Sequence, residues 1–398
     1  MINPYTFYII GFGFSLIVYQ LGWSEVYPSL SVSLIAFLLA TIAAHFFLSR
    51  IWVRTQRINV NDKEAALTLK PKLNPWLVTG FIYLCWAADF IYERGIPLVK
   101  MIMNVPFNYK MFGFPSLHVF TFTFTSFYCI YLFHYFLRTK KRVFLLLYFV
   151  NMASAILIYN RGMLCINLAS SFFLYLLHLR KIPYRKLFLG IPLLVAILYL
   201  FGVMGTVRVS FETKRKYDQN YFLETGKATT QFRKSSIPKE FFWPYIYISS
   251  PIANLQVNIN TYVVKPITTA RILEYINNEW LFESLSKRIN KLAGIEREKE
   301  NAIKEPFNAS TVYCRSFSYL GWAGVIATSL FVLILPFLYS KLIYNNSYQT
   351  IAIAILCTTY LFLTYDNTIR IMAFGFQLAY PVIFPWVENN LSKIKLLQ

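Results

Sequence analysis

The sequence predicts an all-α integral membrane protein with about ten transmembrane helices and one large polar loop. Three observations predict it. The 398 residues are 57% hydrophobic and 19% aromatic, a balance soluble domains seldom show. The apolar residues fall into uninterrupted segments close to the ~20 residues that cover a bilayer. Between the seventh and eighth segments lies a polar stretch, 208–317, that no span can hold.

Spans are expected at 5–22, 29–49, 75–92, 116–137, 143–160, 162–179, 187–206, 319–340, 348–365 and 370–387. The first begins at residue 5 with no basic segment before it and no small-residue cleavage pattern after it, so it reads as a span rather than a signal peptide. Spans two and three are joined by a basic loop carrying Arg50, Arg54, Arg57, Lys63, Lys70 and Lys72. Arg138, Lys140, Lys141 and Arg142 lie between four and five. Spans five and six are separated only by Asn160, Arg161 and Gly162; together they are too long for one crossing, which implies a tight re-entry. Arg180, Lys181, Arg185 and Lys186 follow span six.

The positive-inside rule then places both termini in the cytoplasm and 208–317 outside. The chain divides into 1–207 (spans one to seven), 208–317 (the outer, periplasmic loop) and 318–398 (spans eight to ten). Trp23, Trp76, Trp322 and Trp386 fall near span ends, as an aromatic belt requires.

The loop reads in three parts. Residues 211–242 are charged and read as an exposed excursion. Residues 243–260 are apolar and aromatic with two prolines, too short and broken to span, and read as an interfacial or re-entrant segment. Ile272, Ile276, Leu281, Leu285 and Ile289 recur at roughly helical spacing, an amphipathic helix lying over the bundle or closing a small cap.

The formal net charge is +21, but the cytoplasmic clusters are topological and no nucleic-acid fold signature is present, so nucleic acid is not an expected partner. Membrane lipids are. Residues 208–315 hold 17 Lys and Arg against 11 Asp and Glu, an excess that insertion does not explain and that points to an anionic partner at the outer face.

Cys85, Cys129, Cys165 and Cys357 sit in spans and only Cys314 lies in the loop, so no disulfide framework is expected. Walker, GxSxG and GxGxxG patterns are missing. Asp62, Asp89, Asp218 and Asp366 form no Asp-x-Asp. His118 and His134 stand at opposite ends of one span, about 24 Å apart on a helix. Neither a metal nor another cofactor is expected.

What remains is a set of ionisable residues at the outer ends of spans: Arg161, Arg208, Arg315, Asp366, Arg370, the one-turn pair Asp89 and Glu93, and His118. Charge at that depth costs free energy and points to function. Arginine offers a planar bidentate fork that suits phosphate and pyrophosphate. Arg161, Arg208, Arg315 and Arg370 are therefore candidate pyrophosphate ligands. A polyprenyl-pyrophosphate sugar already carries a good leaving group, so cationic side chains can assist glycosyl transfer without a metal. His118, with Asp89 or Glu93 as the alternative, would act as the base on the acceptor hydroxyl.

Several motifs in order resemble the oligosaccharide repeat-unit polymerases of O-antigen and capsule synthesis. They are Pro115-Ser-Leu-His118, Tyr159-Asn-Arg161-Gly162, Tyr245-Ile-Tyr-Ile-Ser-Ser-Pro251-Ile-Ala-Asn254, and Phe307-Asn308-Ala-Ser-Thr311 running into Tyr319-Leu-Gly321. The resemblance spans nearly the whole chain. It implies the type-B architecture of the glycosyltransferase C fold, with all spans in a bacterial inner membrane. It implies extension of polysaccharide on undecaprenyl pyrophosphate at the periplasmic face, lipid-linked oligosaccharides as substrates, and a chain-length regulator as partner. Through the quoted motifs it implies Tyr247, Asn254 and Asn308 as substrate contacts. The related O-antigen ligases carry a His in the large loop, and this loop has none. A flippase or transporter of the lipid-linked unit is the alternative from another class; the chain shows no internal repeat of the transporter kind.

Overall fold

The computed structural model describes residues 2–55, 71–103, 105, 112–179, 184–213, 219–263, 265–344 and 346–393. Arg57, Asp62, Lys63, Lys70, Arg180, Lys181 and Asp218 lie outside these, as do the side chains of Arg185, Lys186 and Arg208. Among the described residues every regular element is helical, and one isolated β-bridge joins Ser24 to Ala228.

The first half runs α1 (Pro4–Tyr19), α2 (Val32–Thr55), α3 (Pro75–Tyr92), the short α4 (Pro97–Ile102), α5 (Leu117–Thr139), α6 (Arg142–Leu157), α7 (Arg161–His178) and α8 (Tyr184–Thr213). Their starts follow the capping chemistry of the sequence. Asn3, Asn74 and Asn160 each accept a backbone N–H of the first turn, and Pro4 and Pro75 stand where a helix needs no donor. Asn160 explains how α6 and α7 can be separated by so little chain.

Among the described residues five helices are long and apolar enough to cross a membrane: α2, α3, α5, the 190–207 part of α8, and α15 (Trp322–Leu342). Three apolar helices are shorter: α1, α6, and α16 (Gln349–Leu361) with the 3-10 turn Phe362–Thr364 that extends it. The chain is a membrane protein on this evidence. The expected tenth span, 370–387, is not one helix. It breaks into α17 (Met372–Gly375), a 3-10 turn at Phe376–Leu378, and α18 (Tyr380–Leu391). Gly375 marks the break: a Cβ there would stand 1.8 Å from the carbonyl oxygen of Ile369.

α5 and α16 form the middle of the bundle. α5 packs on α3, α6 and α7, and α16 on α1 and α7. At one end, the carboxylate of buried Glu388 in α18 accepts from Tyr131 at 2.8 Å, from Tyr348, and from the backbone N–H of Lys72 at 3.0 Å. One buried carboxyl group thus ties α18, α5 and the start of α16 together, with each oxygen hydrogen-bonded.

The segment after α8 departs from its expected form in three ways. The part read as an exposed excursion carries α9 (Gln219–Thr225) and α10 (Thr230–Lys234). Phe222, Leu223 and Phe232 are buried there in a second apolar cluster with Phe242, Trp243 and Tyr245. Trp23 stacks on Phe232 in that cluster. The Lys and Arg around these aromatics masked them in the sequence. The part read as broken by proline is a continuous, largely buried helix, α11 (Phe242–Thr261), that keeps Pro251 inside it and packs on α1 and α8. The single expected amphipathic helix is two, α12 (Thr269–Glu279) and α13 (Glu283–Ala293), followed by α14 (Cys314–Leu320). Their buried face is also not the expected one: Tyr275, Asn278, Glu279 and Ser286 point inward, while Ile272 and Leu285 are exposed.

Candidate active site

A turn, a loop and the end of α12 bring the charged groups together. After α16 the chain makes the turn 366–371. Asp366 accepts the N–H of Asn367 at 2.6 Å, and Thr368 donates to the Thr359 carbonyl at 2.8 Å. Asn367 then donates to the main-chain oxygen and the carboxylate of Glu279, at 2.8 and 3.2 Å. The loop 295–310 is held from below by Asn254 of α11. Its amide donates to the carbonyls of Phe307 and Ala309, both at 2.6 Å, and its oxygen accepts from the N–H of Ile303 at 2.8 Å.

Glu279, at the end of α12, is buried, with Arg315 at 3.5 Å and Arg297 at 3.6 Å. Arg370, also buried, acts on the same carboxylate electrostatically. Arg315 makes a second ion pair with Glu300 at 2.8 Å, and Ser310 donates to the other Glu300 oxygen at 2.5 Å. A cavity of about 440 Å³ opens on this cluster, lined by Arg297, Glu300, Arg315, Ser310, Asn254 and Asn308 among others.

Burial shifts the acids most. It pushes the Glu279 carboxyl up to about 7 against the pull of Arg315 and Arg370. Burial, with Asp366 beside it, pushes Glu300 up to about 8. Asp366 is raised as well, again chiefly by burial. Burial lowers Arg370, with Glu279 and Glu283 opposing.

The cationic side is under-used. Buried nitrogens of Arg297 (Nε and Nη2), Arg315 (Nε) and Arg370 (Nε) have no hydrogen-bond partner among the described residues. Buried donors without acceptors are rare and costly. Here they belong to three guanidinium groups gathered on one carboxylate.

A smaller recess adjoins the cavity at Asn308. Tyr247, Phe307 and Tyr365 line it. Arg161, the first residue of α7, is exposed and interacts electrostatically with Tyr365. Lying at a helix N-terminus, it gains nothing from the helix dipole.

The expected base stands elsewhere. His118 Nδ1–H donates to Asp89 Oδ2 at 2.9 Å, and Asp89 Oδ1 accepts the N–H of Phe114 at 3.0 Å. The fully buried Asp89 thus orients the ring through Nδ1. Glu93 accepts the N–H of Gly113 at 3.0 Å. The turn entering α5 is strained, with Ser116 at φ 70°. Arg288 of α13 reaches back to Ser116 at 3.4 Å.

Compared with known proteins, the chain matches no family model, curated protein or solved structure. Its chemistry has to be read from the site itself.

The sequence-derived residues therefore fall into three places. Arg315 and Arg370 share the carboxylate cluster. Arg161, Tyr247 and Asn308 gather at the neighbouring recess. His118, Asp89 and Glu93 form a third group at the α3–α5 end. Asn254 lines the cavity, but the loop it staples takes both amide hydrogens and its oxygen, so its place is structural. Glu279, Glu300 and Arg297 were not singled out from the sequence. Arg297 and Glu300 belong to Glu296-Arg-Glu-Lys-Glu300, an alternating run that reads as a solvated face. Glu279 follows Tyr275 by one helical turn, so it shares that tyrosine's buried face; that spacing was the available signal.

Proposed function

We propose that this protein joins lipid-linked oligosaccharide repeat units into O-antigen or capsular polysaccharide at the periplasmic face of the inner membrane. The observation that carries the reading is a set of three arginines with unmatched donors around Glu279: Arg297 and Arg315 line a polar cavity, and Arg370 is buried beside the same carboxylate. Diphosphate is the anion this suits, since planar forks can bind its oxygens in pairs.

The growing chain on undecaprenyl pyrophosphate is the donor. A hydroxyl of the incoming unit attacks the anomeric carbon, and the bond from that carbon to the pyrophosphate oxygen breaks. The acceptor proton passes to a carboxylate, and Arg297, Arg315 and Arg370 hold the departing pyrophosphate. Glu300 is the base in this scheme because it lines the cavity, whereas His118 does not. Direct displacement inverts the anomeric configuration.

A strain lacking the gene tests the reading when complemented with Arg315→Ala or Arg315→Lys. Chain extension should fall by at least about 100-fold in the Ala strain, the scale of losing a donor to a developing anion. The gel ladder should shrink to single capped units, with membrane levels of the protein unchanged. Lys should rescue poorly, since it keeps the charge and loses the fork. A normal ladder in the Ala strain would remove the arginine site. Loss of the single capped unit as well would indicate a flippase or ligase.

A further inference from the structure

α12 and α13 form an antiparallel hairpin. Asn277 donates to Asn290 at 2.6 Å, and Ser286 and Asn290 both donate to Asn278, at 3.1 and 2.7 Å. Its inner side is polar. Its outer side carries an apolar stripe at helical spacing, Ile272, Leu273 and Trp280 on the way in and Phe282, Leu285 and Leu292 on the way out, from 36% to 89% exposed. Contiguous apolar surface of this kind marks an interface.

The register against α15 shows what covers it. Arg271, in the first turn of α12, donates to the carbonyls of Tyr319 and Ser318, at 2.6 and 2.8 Å, ahead of α15. Tyr275 reaches the Gly324 carbonyl at 3.0 Å and Thr328 at 2.6 Å. Trp280 stacks on Phe331, with ring centroids 5.0 Å apart. α12 thus descends alongside a 21-residue apolar span that begins at Trp322. From Trp322 to Phe331 the helix advances ~14 Å, about half of a ~30 Å hydrocarbon core.

On α15 itself Ile326, Leu330, Ile334 and Leu338 are exposed at every fourth residue, the face a bilayer covers. Of the basic residues of α13, Lys287 pairs with Glu283, Arg288 reaches Ser116, and Lys291 lies in the last turn, away from the tip. At the tip the Trp280 N–H bonds to the Ile276 carbonyl and the Glu283 N–H to the Arg370 carbonyl, which takes two donors out of the hydrocarbon.

We propose that α12–α13 is a re-entrant hairpin, dipping to near mid-bilayer from the side of the 208–317 segment and turning at Trp280–Glu283, with the acyl chains of that leaflet covering Ile272, Leu273, Phe282 and Leu285. It holds whatever reaction the cavity performs. It also carries Glu279 and its arginines below the bilayer surface, where a lipid-borne phosphate arrives from the side.

Spin labels in vesicles test it. Cys85 and Cys165 are changed to Ser, which leaves only buried cysteines, and Cys is placed at Leu273, Leu285, Leu292, Ile334 or Lys299. Labels at Leu273 and Leu285 should admit oxygen and lose access to a water-soluble nickel chelate, as at Ile334, while Lys299 keeps it. Depth should fall from Leu285 to Leu292. Chelate access at Leu273 or Leu285 equal to that at Lys299 overturns the proposal, and so does equal depth at Leu285 and Leu292, which would mean a helix lying flat. The unmodified chain gives an independent reading. Its tryptophan fluorescence, minus that of Trp280→Phe, should be quenched most by lipids brominated deep in the acyl chain; no quenching of the difference overturns the hairpin.

Discussion

At the scale of single residues, the site is decided by a contest between burial and opposite charge. Glu279 faces three guanidinium groups, yet burial raises it, because desolvating a carboxylate costs more than these neighbours return. Glu300 is raised further by Asp366, a like charge nearby. A base must be ionised to accept a proton. A carboxyl lifted from the ordinary range to about 8 gives little active form below neutrality, and its ionised fraction rises as pH passes through about 8. In purified enzyme the rate of chain extension should therefore climb through that window. Glu300→Gln should abolish extension and leave donor binding in place, whereas His118→Ala should leave the pH profile unmoved. A profile that shifts with His118 instead would return the base role to the imidazole and its Asp89 partner.

At the scale of elements, the helices were the most legible part of the chain. α3 begins and ends where 75–92 was expected, because Asn74 and Pro75 start it. The other apolar runs are helical too, but with shifted ends: 29–49 became Val32–Thr55 and 187–206 became Tyr184–Thr213. What the sequence hid were elements whose polar and apolar signals conflict. Pro251 suggested a break, but α11 is packed so tightly on α1 and α8 that tertiary contacts override the local penalty. The tenth span failed for the opposite reason: its composition is apolar, but its first residues belong to the turn 366–371 and its helix is interrupted by the 3-10 turn Phe376–Leu378. The arginines were half legible. Arg315 and Arg370 could be named from their places at span ends, whereas Arg297 needed the loop to fold before its direction showed. That loop depends on Asn254. Asn254→Ala would leave the Phe307 and Ala309 carbonyls and the Ile303 N–H unpaired, at about 1–3 kcal/mol for each group that stays buried. The thermal midpoint should drop, and extension should fall with it, because Glu300, Ser310 and Asn308 lose their fixed positions. An unchanged midpoint would mean the loop is held by other contacts.

At the scale of the whole molecule, two expectations follow from charge placement. The basic residues on the short connections favour a cytoplasmic side for those connections, and on that expectation a reporter fused after Lys239 should be active only on the periplasmic side. Cytoplasmic activity there would reverse the topology and with it the side on which the cavity opens. The second concerns the chemistry of the leaving group. Glycosyltransferases that use nucleotide sugars commonly need a divalent cation to neutralise the diphosphate, and a pair of aspartates to hold it. Here Asp-x-Asp is missing from the sequence; instead the guanidinium groups of Arg297 and Arg315 line the cavity, and that of Arg370 is buried beside the same carboxylate, Glu279. Each carries a permanent charge and geometry for two oxygens, so together they can offset the charge that builds on the departing pyrophosphate. Purified enzyme given synthetic lipid-linked repeat units should therefore polymerise in excess EDTA, and each new linkage should be inverted relative to the lipid-linked sugar. Activity that disappears with EDTA and returns with a divalent cation would show that the arginines do not suffice. Retained configuration would show that a covalent sugar–enzyme intermediate has been missed, with one of the carboxylates at the cavity as its nucleophile.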